Sequence, residues 1–228
     1  MEKIISIKNL SYEIPYSGTI LENINLEMGP NEFLGILGHN GAGKTTLLDI
    51  ILGFKVATQG EVKVLGESSN DIDRKNKNQI IFLSQDVALR GNLSVGDFLK
   101  FVSDLYPNYS KEDAKRLMPI FKLKSDTLIS SLSTGQQKKV QIVAGLATRP
   151  KLLIIDEVTA VLDPEARIVL FTELQKLKTD YGTSIVIATN IAEDLTGIVD
   201  RVMFVKDKRA NMYGPGEIMN LFQSGRVA

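Results

Sequence analysis

Gly38-His39-Asn40-Gly41-Ala42-Gly43-Lys44-Thr45-Thr46 is a glycine-rich run that ends in a lysine and two threonines. Glycines at this spacing let a backbone adopt positive φ and wrap closely around an anion, so that successive N–H groups face phosphate oxygens. Lys44 then supplies a point charge to the outer phosphates of a nucleotide, and the Thr45 hydroxyl can ligate magnesium. A second run, Lys151-Leu152-Leu153-Ile154-Ile155-Asp156-Glu157, closes an apolar stretch with two acids. A strand of this kind delivers carboxylates to the carboxyl edge of a sheet, where ligands of open α/β folds bind. Asp156 suits a magnesium role through water, and Glu157 suits the activation of water. Alone, the first run could be a glycine turn and the second an ordinary acidic strand end. Together they point to a P-loop nucleotide hydrolase.

The elements that must position these runs are visible in the hydropathy pattern. Phe33 to Leu37 reads as a buried strand, and a helix from about Lys44 to Leu52 follows the glycine run. The anion would then sit at a helix N-terminus. Lys151 to Ile155 is a further strand. Upstream, Ile4 to Leu10 and Leu21 to Met28 alternate apolar and polar residues, and Gln59 to Leu65 is another strand candidate. Ser68 to Asn78 reads as a polar loop or short helix, and Ile80 to Leu83 as a buried strand. From Ser94 to Leu123 the pattern turns helical. Ser94 offers an N-cap, and Ser110-Lys111-Glu112-Asp113 reads as a capping box with Asp113 as its acid. Helices over about Thr134 to Thr148 and Pro164 to Tyr181 follow, with a short one over Ile191 to Gly197 and another at the end of the chain. Strands are expected at Ser184 to Ala188, Val199 to Val205 and Asn211 to Tyr213. This alternation predicts an α/β fold: a P-loop NTPase core with a mostly parallel sheet, an N-terminal antiparallel β subdomain and an inserted helical subdomain at about 91–130. All of it is read as a single domain, 1–228.

Composition removes other chemistries. The 228 residues are 43% hydrophobic and 24% charged, which excludes a disordered chain or a coiled coil. Lys and Arg number 27, as do Asp and Glu, so no global basic field draws nucleic acid or anionic lipid. Cysteine is absent and His39 is the single histidine, which excludes thiolate and multi-histidine metal sites. No signal-peptide pattern opens the chain, and no apolar run approaches the roughly 18 residues that cross a bilayer. The expectation is a cytoplasmic chain able to dock onto a membrane protein.

Further residues narrow the family. Gln85 follows the strand Ile80 to Leu83, Leu132-Ser133-Thr134-Gly135-Gln136-Gln137 opens the helix before the acidic strand, and Asp163 follows Glu157. In this order the motifs resemble the ATP-binding cassette, or nucleotide-binding domain, of ABC transporters: Walker A, Q-loop, signature, Walker B and D-loop. The resemblance runs from about Ile4 to Tyr213. It implies a pair of cassettes that sandwich ATP and Mg2+ head to tail. Gly38, the stretch from Asn40 through Gly41, Ala42, Gly43 and Lys44 to Thr45 and Thr46 would hold the phosphates. Thr45, Gln85 and Asp156 would serve magnesium, and Glu157 would be the general base. Ser133, Gly135 and Gln136 would touch the γ-phosphate of the partner's ATP, and Asp163 the partner's Walker A. The stretch from about Asp86 to Asn108 would help form the groove for a coupling helix of a permease. Tyr16 is the choice for stacking on adenine, with Tyr12 the alternative. Taken singly, Ser133 and Asp163 also read as helix N-caps.

Two positions depart from the family pattern. Thr134 stands where the signature usually has a second glycine, and Asn190 stands where a switch histidine is expected. Asn190 can donate a hydrogen bond to a γ-phosphate but carries no titratable proton. The expectation is an ATPase with slowed turnover. A homodimer is favoured over a heterodimer because Glu157 is retained. The resemblance implies the motor subunit of a transporter, held at the cytoplasmic face of the membrane by a separate permease. The short helical insertion and the lack of an added C-terminal regulatory domain resemble compact exporter cassettes. The alternatives are a soluble non-transport ABC ATPase and a slow ATP-gated dimerisation module.

Overall fold

The computed structural model describes residues 3–85, 89 and 91–218. In chain order the elements are β1 (Ile5–Ile14), β2 (Gly18–Met28), β3 (Phe33–Leu37), α1 (Lys44–Ile51), β4 (Gln59–Val64), β5 (Glu67–Ser68), α2 (Arg74–Lys77) and β6 (Ile80–Ser84). Then come α3 (Val95–Leu105), α4 (Lys111–Ile120), α5 (Thr134–Ala147), β7 (Leu152–Asp156), α6 (Pro164–Tyr181), β8 (Ser184–Thr189), β9 (Arg201–Lys206) and β10 (Arg209–Tyr213). They fall into two compact units, one of residues 1–77 with 184–228 and one of residues 78–183.

The first unit holds an antiparallel sheet ordered β2-β1-β4-β5. Ile5 and Ile7 are buried on one face of β1, and the next buried residue is Leu10, three places on. That parity change needs an extra residue, and the pairing with β2 shifts register between Ile7 and Leu10. Asn9 lies there at φ 50°, a conformation asparagine tolerates better than most residues. The strand therefore runs on to Ile14, beyond the Leu10 at which simple alternation stops. The same unit holds β3 between β8 and β9, all parallel, with β10 antiparallel to β9. Every residue of β3 and β8 is buried, which explains their unbroken apolar runs. Gly35 lets Leu195 approach, for a Cβ there would stand 2.8 Å from the Leu195 side chain.

The second unit pairs β6 with β7 in parallel, Ser84 opposite Asp156. The buried face of α5 lies on this pair. Gly145 permits it, since a Cβ would come within 3.2 Å of Ile81 and Leu83. The segment between β6 and β7 carries α3, α4 and α5, so the expected helical stretch is present in kind.

Two local expectations need correction. Ser110 does cap α4 by accepting from the Asp113 N–H at 3.1 Å, but Asp113 does not complete a capping box. Its carboxylate pairs with Arg149 at 2.7 Å, while the Ser110 N–H donates to Ala147 O. Tertiary partners outcompete the local one. The helix expected over Ile191 to Gly197 is one 3-10 turn, Ala192–Asp194. It begins only after the Thr189 hydroxyl takes the Ile191 N–H, and Gly197 at φ 75° prevents its continuation. Ser68 to Asn78, read as a polar loop or short helix, carries the 3-10 turn Ser69–Asp71 and the single turn α2. The helix expected at the end of the chain lies outside the described residues.

Candidate nucleotide-binding site

The loop between β3 and α1 is built by backbone conformation. Gly41 and Gly43 have φ of 81° and 101°, which L side chains rarely adopt. Gly38 has no room for a side chain, because a Cβ would meet Val205 O at 2.6 Å. Gly43 is walled by β2: a Cβ there would stand 2.9 Å from Leu21 and 3.4 Å from Ile20. Sequence reading missed that wall, since nothing in spacing joins residues 20–21 to residue 43. No side chain caps α1, and no acid lies in its first turn. Its N-terminal N–H groups and the positive end of its dipole are thus suited to an anion.

Lys44 is 4% exposed. Its ammonium donates to Gly38 O at 2.9 Å and His39 O at 3.2 Å, so the loop's own carbonyls hold it inside the turn. His39 Nδ1 lies 2.8 Å from Asn40 O, so the single histidine braces the loop. Asn190, at the end of the strand beside β3, donates from Nδ2 to Asn40 Oδ1 at 3.0 Å. The first unit therefore brings the expected switch position onto the phosphate loop. Tyr16 lies in the turn between β1 and β2 at φ 66° with its ring fully exposed, whereas Tyr12 is half-buried opposite Leu21.

In the second unit Asp156 ends β7 and is 5% exposed. The Gln85 N–H donates to Asp156 O at 3.1 Å, which sets the first residue after β6 beside the acid. Glu157 is half-buried at φ 52°, a strained conformation for a non-glycine residue. The chain turns sharply at Glu157 into the 3-10 turn Val158–Val161. Ser133 caps α5 in a complete capping box: its Oγ accepts from the Gln136 N–H at 3.3 Å, and Gln136 Oε1 accepts from the Ser133 N–H at 3.0 Å. Ser133, Thr134 and Gln136 remain exposed. A Cβ at Gly135 would stand 3.3 Å from Val161 O, so the signature turn packs against the turn that follows Glu157.

Asp163 caps α6, accepting from the Ala166 N–H at 2.9 Å, and forms an ion pair with Lys139. The Lys139 hydrogen bond, aided by that N–H, holds its carboxyl below the usual carboxylate range. Lys138, which sequence reading passed over, is 1% exposed. It donates to Ser84 O and, at 2.6 Å, to Gln141 Oε1, tying α5 to the end of β6 beside Gln85. Its hydrophilic type gave no signal of burial. Of the expected coupling groove, residues 86–88 and 90 lie outside the described residues. The described part borders a 210 Å³ cavity lined by Phe82, Leu89, Phe98, Tyr106 and Gln141.

Fold and loop together define a P-loop ATPase. The family model of the ABC transporter matches residues 21–160, and the chain belongs to that family as a nucleotide-binding cassette. It is 34% identical over 234 residues to the spermidine/putrescine import ATP-binding protein PotA of Clostridium novyi, a match covering 100% of this chain and 67% of that protein. To the energy-coupling factor transporter ATP-binding protein EcfA1 of Leuconostoc mesenteroides it is 31% identical, over 96% of this chain and 84% of that one. Among solved structures, the ATP-binding subunit of an ABC transporter shares the fold with a TM-score of 0.84 at 24% identity, covering 96% of this chain and 93% of that one. A dimeric ATP-binding cassette in a post-hydrolysis state, bound to ADP and Pi, has a TM-score of 0.79 at 25% identity over 92% of this chain and 98% of that one. The chain is accordingly an ATP-binding ABC-type ATPase with a motor role.

Proposed function

We propose that this cassette drives substrate movement through a separate membrane permease by binding and hydrolysing ATP with Mg2+. The observation that carries this reading is the uncapped N-terminus of α1 behind a loop of positive-φ glycines, with Lys44 held inside it. Backbone N–H groups from Asn40 to Thr46 and the Lys44 ammonium would hold the β- and γ-phosphates. Glu157 would accept a proton from the water that attacks the γ-phosphorus, as the bond to the β-phosphate oxygen breaks. Thr45, Gln85 and Asp156 offer a hydroxyl, an amide oxygen and a carboxylate, hard donors of the kind magnesium takes. That ion would neutralise charge on the phosphate oxygens. Adenine would stack on Tyr16, which is free of packing, or on Tyr12.

The second cassette would be another copy of this chain. Ser133 and Gln136, exposed at the head of α5 with Gly135 between them, would contact the partner's nucleotide, and Asp163 the partner's phosphate loop. The stretch 91–130 would act as the helical subdomain, and the cavity bordered by Phe98 and Tyr106 would receive the permease. Among the described residues no helix is long and apolar enough to cross a membrane, so attachment is read as peripheral, at the cytoplasmic face. Export is the first reading of direction, from the short helical stretch alone. Import is the second reading, favoured by relatives that are named as import ATP-binding proteins.

Phosphate release and ATP titration test the core of this reading. Lys44→Ala should lower phosphate release by about 100-fold or more. Glu157→Gln should abolish release while ATP is still bound. Retained turnover in Lys44→Ala would overturn the site. Transport in vesicles of defined orientation, with ATP on one side, decides between export and import.

A further inference from the structure

In the 78–183 unit a 540 Å³ cavity lies between α3, α4 and the turn that follows α4. That volume falls within the roughly 300–1,000 Å³ typical of small-molecule sites. Leu99 from α3, Met118 and Pro119 from α4, and Leu123 beyond it make an apolar wall. The charged residues lining the cavity are Lys100, Lys111 and Lys115, and no acid lines it. None of the three ammonium groups has an ion-pair or hydrogen-bond partner among the described residues. The acids of α4 are engaged elsewhere: Asp113 pairs with Arg149, and Glu112 accepts from the Ser110 hydroxyl.

Tyr109 forms another part of the wall. Its hydroxyl is buried and has no hydrogen-bond partner among the described residues. Burial pushes the phenol up to about 12, so it stays a neutral donor at physiological pH.

We propose that this cavity binds a single-chain amphiphile with a carboxylate head. The apolar chain lies along Leu99, Met118 and Leu123, and the carboxylate is drawn to the lysines. None of these residues belongs to the nucleotide motifs, so the site stands or falls independently of the ATPase reading.

Calorimetric titration of the full chain with decanoate, below micelle formation, tests the assignment. The expected result is saturable one-to-one binding, with decanol binding about fivefold more weakly or worse. Lys100→Gln combined with Lys115→Gln should weaken decanoate by a similar factor or more. Leu99→Trp should abolish binding by filling the cavity, with ATP binding unchanged as the control for folding. Should Leu99→Trp fail that control, Met118→Trp takes its place. The absence of saturation, equal affinity for decanol, or full binding by the tryptophan variant that passes the control would overturn the proposal.

Discussion

Asn190 holds the Asn40 side chain at 3.0 Å, so an amide sits over the phosphate loop at the position where the family pattern has a histidine. An amide can donate to a γ-phosphate, but unlike a histidine it has no charged form with which to strengthen that bond. Removing a well-placed transition-state donor costs on the order of 100- to 1000-fold in rate, and exchanging a charged donor for a neutral one costs less. Asn190→His should therefore raise steady-state phosphate release by about tenfold in the assembled transporter. A rate that stays the same or falls would show that Asn190 does not limit turnover. Gly38 makes a second prediction at this scale. A Cβ there would stand 2.6 Å from a backbone oxygen, not from a side chain that could swing away. Gly38→Ala should destabilise the fold by about 1–3 kcal/mol in urea melts and weaken ATP binding. The Lys-and-Thr ending of this loop was legible from spacing alone. The Asn40–Asn190 bond was not, because residues 150 positions apart meet only through the pairing of β3 with β8.

Helix α5 carries the signature turn, and its N-terminus is held by a reciprocal pair of hydrogen bonds between Ser133 and Gln136. Ser133→Ala removes one of them and should cost about 1 kcal/mol in denaturant melts. A conservative Ser133→Thr should restore most of that stability. Helices α4 and α6 are joined by a bidentate pair, Arg116 to Glu173 at 2.9 and 2.7 Å, with Lys176 also on Glu173 at 2.8 Å. Burial works to raise the Glu173 carboxyl, but the hydrogen bonds from Arg116 and Lys176 outweigh it and hold the group below its ordinary value. Folding thus favours the ionised form. Its contribution is complete above the unfolded value of 4.5 and disappears as pH falls through the lower folded value. Glu173→Gln should destabilise by about 2 kcal/mol at pH 7, since it leaves two cations on a neutral group. The gap between parent and variant should narrow steadily below about pH 4.5. A gap independent of pH would show that the pair is not the cause. The element scale was largely readable beforehand. Pro164 to Tyr181 needed no correction, because Asp163, Pro164 and Gly182 punctuate both its ends.

At the scale of the molecule, the cassette is expected to pair with another copy of itself in the presence of ATP. Glu157→Gln, expected to bind ATP without hydrolysing it, should elute at twice the monomer mass in Mg2+ and ATP, and at monomer mass without nucleotide. A monomer under both conditions would point to a different chain as the second cassette. Sequence by itself determined the α/β class, the phosphate loop, the acidic strand end and the order of motifs, because each depends on residues close in the chain: glycine conformation, local periodicity and caps. Tertiary structure decided which local options survived. Asp113 gave up its capping box to Arg149, Lys138 was buried against Ser84, Gly43 was walled by Leu21, and the helix expected after Thr189 shrank to one turn. In the first three cases a partner distant in sequence offered a better hydrogen bond, charge or contact than the neighbours did, and a pattern of nearby residues carries no record of such partners; after Thr189 it was a side chain two residues away that took the Ile191 N–H.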